Sequence, residues 1–225
     1  MTASVPPLRP PISLLPVQQL TRLEDGERLH SLLWQAGNGW RMISSAVLGG
    51  GIGVRSWVLN AQVSHGYQRT DPHRHLAELA REAGAHGPGV GLMTAADVRA
   101  YGHAHDGGAE AVATAGLGVR GWAASPRQGA ALAPTPGTIN IVVALPVPLT
   151  DAALVNAVAT ATEAKVQALL DAGFDCSGTP TDAVCVAARI PDSDEELHAF
   201  AGPRSLWGAR VARAVHHAVG AAARL

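Results

Sequence analysis

The stretch Thr138-Ile139-Asn140-Ile141-Val142-Val143-Ala144-Leu145, with the two segments that follow it, decides the fold of this chain. Its continuous apolar run is typical of a buried strand, which is ended by the prolines just after it. Thr150 then caps a helix that we expect to run to about Ala172, with Gly173 at its C′ position. Residues 182–188 predict a second buried strand. Strand, helix and strand in this order indicate a layered arrangement of helices on a sheet.

Upstream of this unit the sequence predicts a hairpin. Residues 40–48 and 55–63 read as two strands, and the glycine-rich run Gly49–Gly53 lies between them. A hairpin argues against a purely parallel sheet. We therefore predict an α+β (layered α/β) fold with a mixed sheet and packed helices, in a single domain.

Shorter elements complete this prediction. Asp71-Pro72 starts a helix, since proline suits the first helical position. Residues 89–94 read as a short buried strand, and residues 101–108 as a loop rich in glycine and histidine. Pro203 opens the last helix. Five prolines within residues 1–20 forbid an ordinary helix there, so we predict an irregular arm at 1–20 and a domain at 21–225.

Composition narrows the functional class. The chain has 225 residues, 47% hydrophobic and 16% charged, with a net charge of −1, so no basic surface for nucleic acid is indicated. No apolar run reaches the roughly 18 residues of a membrane span. We expect a cytoplasmic protein with neither nucleic-acid nor membrane partners. The alanine-rich helix faces suit packing inside the domain or between subunits, so a homo-oligomer is left open.

Six stretches, taken in order, resemble one known family. They are Ser44–Gly51, Gly91–Val98, Pro136–Ile141, Thr160–Lys165 with Ala168-Leu169, Gly178–Val184 and Ala201–Ser205. Over most of residues 40–220 the chain resembles the adenosylcobinamide amidohydrolase (CbiZ) family. The more specific part of the resemblance is the succession of Thr162-Glu163-Ala164-Lys165 and Gly178-Thr179-Pro180-Thr181-Asp182-Ala183.

The resemblance implies a reaction. Members of this family hydrolyse the amide that joins the f propionate of the corrin ring to (R)-1-aminopropan-2-ol. The products are adenosylcobyric acid and the amino alcohol, which feed the salvage of incomplete corrinoids. On this reading the corrinoid is the substrate, and no cofactor is expected.

Three candidate catalytic residues follow from the residues themselves. On a helical wheel Glu163 falls in a polar stripe, whereas Lys165 falls on the apolar side nearly opposite. A lysine on an apolar face must extend to solvent, pair with an acid or be neutral. Paired with Asp182, it would be either a structural ion pair or an amine that stabilises an oxyanion. Glu163 could equally be a solvated residue on the face of a helix. Asp182 could equally bind the backbone amides of a turn.

The chemistry of attack stays open at this point. An acid could activate water, or a hydroxyl of Thr138, Ser44 or Thr162 could attack the amide first. We favour activated water without a bound metal. Candidate substrate-binding residues are polar side chains on predicted strands, strand ends and the polar helix stripe, namely Ser44, Asn60, Thr94, Thr138, Asn140, Asn156 and Thr181.

The histidines do not form a recognisable metal motif. His103-Ala104-His105-Asp106 could place ligands close together, but no HExxH or comparable spacing occurs, so we predict no metal. Two other functions compete with the amidohydrolase. One is a corrinoid-binding protein without catalysis, and the other is an amidase or acyltransferase for a different substrate.

Overall fold

The computed structural model describes residues 13–125 and 137–225. Ten strands and three helices lie in these ranges. In chain order they are β1 (Gln18–Glu24), β2 (Glu27–Trp34), β3 (Trp40–Ser44), β4 (Gly51–Val54), β5 (Val58–Gln62), α1 (Pro72–Glu82), β6 (Val90–Thr94), β7 (Tyr101–Asp106), β8 (Ala109–Ala115), β9 (Ile139–Leu145), α2 (Asp151–Asp171), β10 (Ala183–Arg189) and α3 (Leu206–Ala222).

The strands form two sheets. One has four strands in the order β1-β2-β5-β6, and the other has six in the order β4-β3-β10-β9-β8-β7. Each sheet is antiparallel except at one pair, β5 with β6 and β9 with β10. The predicted α+β fold with packed helices is therefore confirmed, with two mixed sheets where the sequence analysis expected one.

The predicted strand–helix–strand unit is β9–α2–β10. The two strands run parallel, with Ala183 opposite Asn140. The side chain of Thr150 caps α2 by accepting a hydrogen bond from the backbone N–H of Ala153. Gly173 follows the helix with a φ of +86°, which glycine adopts without the steric cost of a Cβ. These local features made the unit predictable.

Alternation along β9 sets the order of the layers. Ile139, Ile141, Val143 and Leu145 pack against α2 and α3, whereas the residues between them face the four-stranded sheet. The two sheets thus pack face to face. Helix α1 covers the outer face of the four-stranded sheet through Leu76, Leu79 and Ala80. The molecule is a stack of helix, sheet, sheet and helix pair.

The hairpin prediction was wrong in its second strand. The partner of β3 is β4, which the glycine-rich run itself forms, and β5 lies in the other sheet. At Gly49 the glycine is required by close packing as well as by the turn. It has a φ of +70°, and a Cβ there would collide with the carbonyl oxygen of Gly89. The chain is pressed here against the start of β6.

Residues 101–106 form the edge strand β7, so the prediction of a loop there was wrong. The glycine that suggested a loop is required for packing, since a Cβ on Gly102 would collide with the carbonyl oxygen of Ala218 in α3. His103 and His105 are exposed and lie on the opposite face. Their spacing is the period of two of an edge strand.

The N-terminal segment is tied to the six-stranded sheet. Residues 1–12 of the expected arm lie outside the described residues, and β1 begins at Gln18, inside the range expected to be irregular. The carboxylate of Glu110 accepts hydrogen bonds from the backbone of Leu14 and Leu15 and from the hydroxyl of Ser13. Burial alone would raise the pKa of Glu110, but these hydrogen bonds outweigh it and lower the pKa.

The last helix begins slightly later than expected, at Leu206, with Ser205 as its N-cap. The residues on its buried face include Trp207, Val211, Ala214, Val215 and Ala218. In the part of the chain that the structure describes, no helix has the length and apolar character to cross a membrane.

Candidate active site

A cleft of about 670 Å³ opens where the parallel strands β9 and β10 begin. Because these strands are parallel, their first residues reach the same edge of the sheet, beside the second half of α2. The lining residues come from α2 and from the segments before β9 and β10, and they are Val119, Arg120, Gly121, Ala123, Thr162, Lys165, Val166, Ser177, Gly178, Thr179, Pro180 and Asp182.

An ion pair between Lys165 and Asp182 lies in this cleft. The Nζ of Lys165 donates directly to Oδ2 of Asp182, and the two side chains are only 9% and 13% exposed. Asp182 faces the helices because β10 alternates, with Val184 and Val186 on the same side. The lysine on the apolar face of α2 therefore meets the acid that the sequence suggested as its partner.

The carboxylate of Asp182 is fully occupied. Its Oδ1 accepts from the backbone N–H of Ile139 at 2.9 Å and from the hydroxyl of Thr179. Its Oδ2 accepts from Lys165 and from the backbone N–H of Thr179 at 3.2 Å. Two oxygens with two lone pairs each offer four sites, and all four have a donor.

Gly178 lets the chain pass this pair closely. A Cβ on Gly178 would collide with the carboxylate of Asp182 and the ammonium of Lys165, and its φ of +152° disfavours other residues. Its carbonyl oxygen accepts from the backbone N–H of Gly121 at 3.0 Å. The segment before β10 is thus fastened to the opposite wall of the cleft.

Two further threonines near the starts of β9 and β10 bind each other and are not among the lining residues of the cleft. The hydroxyls of Thr138 and Thr181 lie 2.6 Å apart, and that of Thr181 donates to the carbonyl oxygen of Gly137. On the other wall Arg120 stacks over the ring of Phe174, 5.3 Å from its centroid. The cleft therefore carries two cations, one ion-paired and one on an aromatic face.

Comparison with known proteins assigns the family. The family model for adenosylcobinamide amidohydrolase (CbiZ) matches residues 16–225. A protein of Methanosarcina mazei named adenosylcobinamide amidohydrolase is 32% identical over 178 residues, which are 76% of this chain and 84% of that protein. The chain belongs to the adenosylcobinamide amidohydrolase family. It is thus a member of a family of hydrolases that act on an amide.

Two further matches are more limited. A protein of Halobacterium salinarum with the same name is 45% identical over 85 residues, 37% of this chain and 35% of that protein. The crystal structure of the PH0078 protein from Pyrococcus horikoshii OT3 covers 92% of this chain and 82% of that one, with a TM-score of 0.47 and 12% identity. Membership of the adenosylcobinamide amidohydrolase family therefore rests on the sequence matches.

Several candidate residues of this amidohydrolase lie away from the cleft. Asn60 and Asn140 face each other between the two sheets, with Nδ2 of Asn140 2.8 Å from Oδ1 of Asn60. Asn60 in turn donates to Thr114 at 2.9 Å, and Asn140 to the carbonyl oxygen of Met93. We call Asn60, Thr114 and Asn140 the inter-sheet cluster. All three are at most 5% exposed.

Ser44 and Thr94 bind backbone groups at the ends of their strands. The hydroxyl of Ser44 donates to the carbonyl oxygen of Val184 at 3.0 Å and accepts from the N–H of Ala46. The hydroxyl of Thr94 accepts from the N–H of Ala96. Both side chains are buried, and these contacts fix the turns that follow β3 and β6.

Glu163 and Asn156 lie on the exposed face of α2, apart from the residues that line the cleft. Asn156 instead borders a shallow depression with Phe200 and residues 202–205. Of the sequence predictions, the structure brings Lys165 and Asp182 together in the cleft. Thr138 and Thr181 form a separate hydrogen-bonded pair, and Glu163 and Asn156 stay on the exposed face of α2.

Sequence reasoning missed Thr179, whose side chain and backbone both bind Asp182. The succession Gly178-Thr179-Pro180-Thr181-Asp182 held the signal, because an acid three residues after a threonine can close a turn on it. Arg120 was also missed, since no local pattern connects it with Lys165, which is distant in the sequence.

Neither cysteine has the features of a catalytic thiol. Burial raises the pKa of Cys185 to about 12 and also raises that of Cys176. Within residues 13–125 and 137–225, no group of three or more His, Cys, Asp or Glu side chains could hold a metal ion. The groups that the cleft offers for chemistry include an ammonium, a guanidinium, a carboxylate and threonine hydroxyls.

Proposed function

We propose that this amidohydrolase cleaves adenosylcobinamide at the amide between the f propionate of the corrin ring and (R)-1-aminopropan-2-ol. The products would be adenosylcobyric acid and the amino alcohol, as in the salvage of incomplete corrinoids. The observation that carries the proposal is the Lys165–Asp182 pair in an open cleft of a chain whose relatives are named for this substrate.

Lys165 suits the stabilisation of charge on the amide oxygen. An ammonium has three N–H donors, and Asp182 takes one of them. The others can point towards a carbonyl oxygen that gains negative charge during attack. Loss of one preorganised donor to such an oxygen typically costs about 10²–10³ in turnover. Asp182 holds this donor in place.

The cleft takes the side arm of the substrate better than its ring. Sites of roughly 300–1,000 Å³ enclose ligands of drug size, and a corrin with its axial adenosyl group is much larger. We infer that the aminopropanol arm and its amide enter while the corrin stays at the mouth. Trp122, next to two lining residues and 41% exposed, offers an aromatic face there.

The test is incubation of the purified protein with adenosylcobinamide, followed by mass spectrometry of the corrinoid and of the released amine. Adenosylcobyric acid together with aminopropanol supports the proposal. A parallel incubation after dialysis against EDTA should give the same rate, because the proposed groups are all side chains. Binding without turnover would indicate a carrier, and turnover of other amides alone would indicate a different substrate.

The matched control is Glu163→Gln on the exposed face of α2, compared with Lys165→Met two residues along the same helix. Both substitutions remove one charge at similar size. Loss of turnover only in Lys165→Met supports the cleft as the site. Equal rates in both variants would contradict this placement.

A further inference from the structure

The hydroxyl of Thr179 lies in the wall of the cleft and points to the carboxylate. It donates to Oδ1 of Asp182, while the backbone N–H of the same residue donates to Oδ2 at 3.2 Å. Thr179 is partly exposed, in contrast to the buried hydroxyls of Ser44 and Thr114. A hydroxyl hydrogen-bonded to a carboxylate at the edge of an open cleft is placed for attack on a bound amide.

The occupancy of Asp182 separates attack by water from attack by a side chain. A water molecule that gives its proton to this carboxylate must first displace one of four donors. Two of these are backbone N–H groups fixed by β9 and by the turn before β10, and a third is the ammonium of Lys165. The fourth is the hydroxyl of Thr179, whose proton already lies on the path to Oδ1.

The other candidate hydroxyls lack a base. The hydroxyl of Thr162 donates within its own helix to the carbonyl oxygen of Val158 at 2.9 Å. That of Ser44 donates to the carbonyl oxygen of Val184. That of Thr138 is paired with the hydroxyl of Thr181 at 2.6 Å. A carbonyl or a second hydroxyl takes up a proton far less readily than a carboxylate does.

We propose that Oγ1 of Thr179 is the nucleophile and that the amide is cleaved through an ester on this residue. The inference rests on the proposed function, since the acyl group is the corrinoid f propionate. In the first half, Oγ1 bonds to the amide carbon and its proton passes to Oδ1 of Asp182. The C–N bond then breaks, and the proton passes from Asp182 to the nitrogen of the departing aminopropanol.

The second half returns the enzyme to its starting state. Water enters where the amine left, bonds to the ester carbon and gives one proton to Asp182. The bond between carbon and Oγ1 breaks, and Thr179 recovers the proton from Asp182. The balance is one water consumed and one amide converted to an acid and an amine. Lys165 donates to the carbonyl oxygen in both halves.

The experiment compares the wild type with Thr179→Ala and Thr179→Ser. Each reaction with adenosylcobinamide is quenched in acid throughout the first turnover, and the intact protein mass is measured. We expect a cobyryl adduct on the wild type that peptide mapping places on residue 179. Thr179→Ala should lose at least about 10³-fold in kcat/KM and carry no adduct, because the nucleophile is absent.

Thr179→Ala keeps the backbone N–H to Asp182, and Thr179→Ser keeps the hydroxyl as well. The serine variant should therefore retain turnover and the adduct. Turnover of Thr179→Ala within about tenfold of the wild type would overturn the proposal, as would an adduct on another residue or a wild type that never carries one. If the wild type releases no adenosylcobyric acid, the proposed function fails too, whereas turnover without dependence on Thr179 removes the nucleophile alone.

Discussion

Two polar clusters occupy β9 and its neighbours, and they differ in where along the strands they lie. The cleft cluster of Lys165, Asp182 and Thr179 surrounds the first residues of β9 and β10. The inter-sheet cluster lies within the strands and is covered by the opposite sheet. Asp182, just before β10, meets the cleft, whereas Asn140, the second residue of β9, meets only protein.

The surroundings of the inter-sheet cluster make its hydrogen bonds matter for stability. Asn60 and Asn140 border a cavity of about 10 Å³ whose other walls include Val58, Val112 and Val142. Oδ1 of Asn140 is buried and has no hydrogen-bond partner within the described ranges. That volume is about the space of one water molecule. The amides of the inter-sheet cluster therefore hold the two sheets together, whereas the cleft cluster is placed to act on a substrate.

Asp182→Asn should have the largest effect. Both oxygens accept from donors, so the amide nitrogen must point at one of them whichever way the side chain turns. We expect kcat/KM to fall by at least about 10³-fold. Leaving Lys165 without its acid should also cost about 3–5 kcal/mol in the free energy of unfolding. Steady-state kinetics and urea denaturation measure the two, and a variant with wild-type kinetics would remove Asp182 from the site.

Lys165→Met comes next. It removes the ammonium but keeps most of the packing on the apolar face of α2, so turnover should fall by about 10²–10³-fold. The contrary result is equally informative. If turnover is kept while the free energy of unfolding falls, the pair is a structural ion pair and the catalytic interpretation of Lys165 is wrong.

Gly178→Ala tests the geometry of the cleft cluster without removing any functional group. The new Cβ must displace Lys165 or Asp182, and displacements of about 1 Å can cost about 10²-fold in rate. Gly173→Ala is the matched control, because Gly173 also has a positive φ but has open space around its Cβ position. A rate loss in both variants alike would point to backbone strain instead of collision.

Thr114→Val should have the opposite pattern of effects, with lower stability and nearly unchanged turnover. It leaves the amide of Asn60 without an acceptor at nearly constant volume, which should cost about 1–3 kcal/mol in the free energy of unfolding. Turnover of the folded variant should stay within about threefold of the wild type. A large fall in kcat/KM with unchanged stability would move the inter-sheet cluster into the site.

Glu163→Gln should have the smallest effect. The side chain is exposed on α2, so both stability and turnover should stay close to wild type, within about 0.5 kcal/mol. The same denaturation and kinetic assays apply. A loss of tenfold or more in turnover would restore Glu163 as a candidate acid.

Local pattern was sufficient for one part of the molecule. The apolar run of β9, the cap at Thr150 and the helical wheel of α2 predicted the strand–helix–strand unit and a partner for Lys165. These inferences use neighbours in sequence or the fixed periods of helix and strand. The approach of Lys165 to Asp182 follows because α2 joins the two strands directly.

Other features depend on which strands pair, and sequence periodicity does not state that. Alternation along β9 places Asn140 on the face opposite to Ile139 and Ile141, but whether that face meets solvent or a second sheet depends on β5 and β6. The hairpin prediction failed for the same reason, since β5 pairs with β2 and not with β3. Thr179 was missed because it lies in a turn, where the signal is the spacing of Thr179 and Asp182 and not a helical or strand period.

The pairing of β3 with β10 has a consequence for synthesis of the chain. Ser44 bonds to Val184, 140 residues later. At about 5–20 residues per second, a ribosome needs roughly 7–30 s to make that span. During this interval β10, the strand that pairs with β3, has not yet been made, and Asp182 is not yet available to Lys165. Nascent chains of this protein should therefore depend on shielding of the early strands, and the cleft should be the last part of the six-stranded sheet to form.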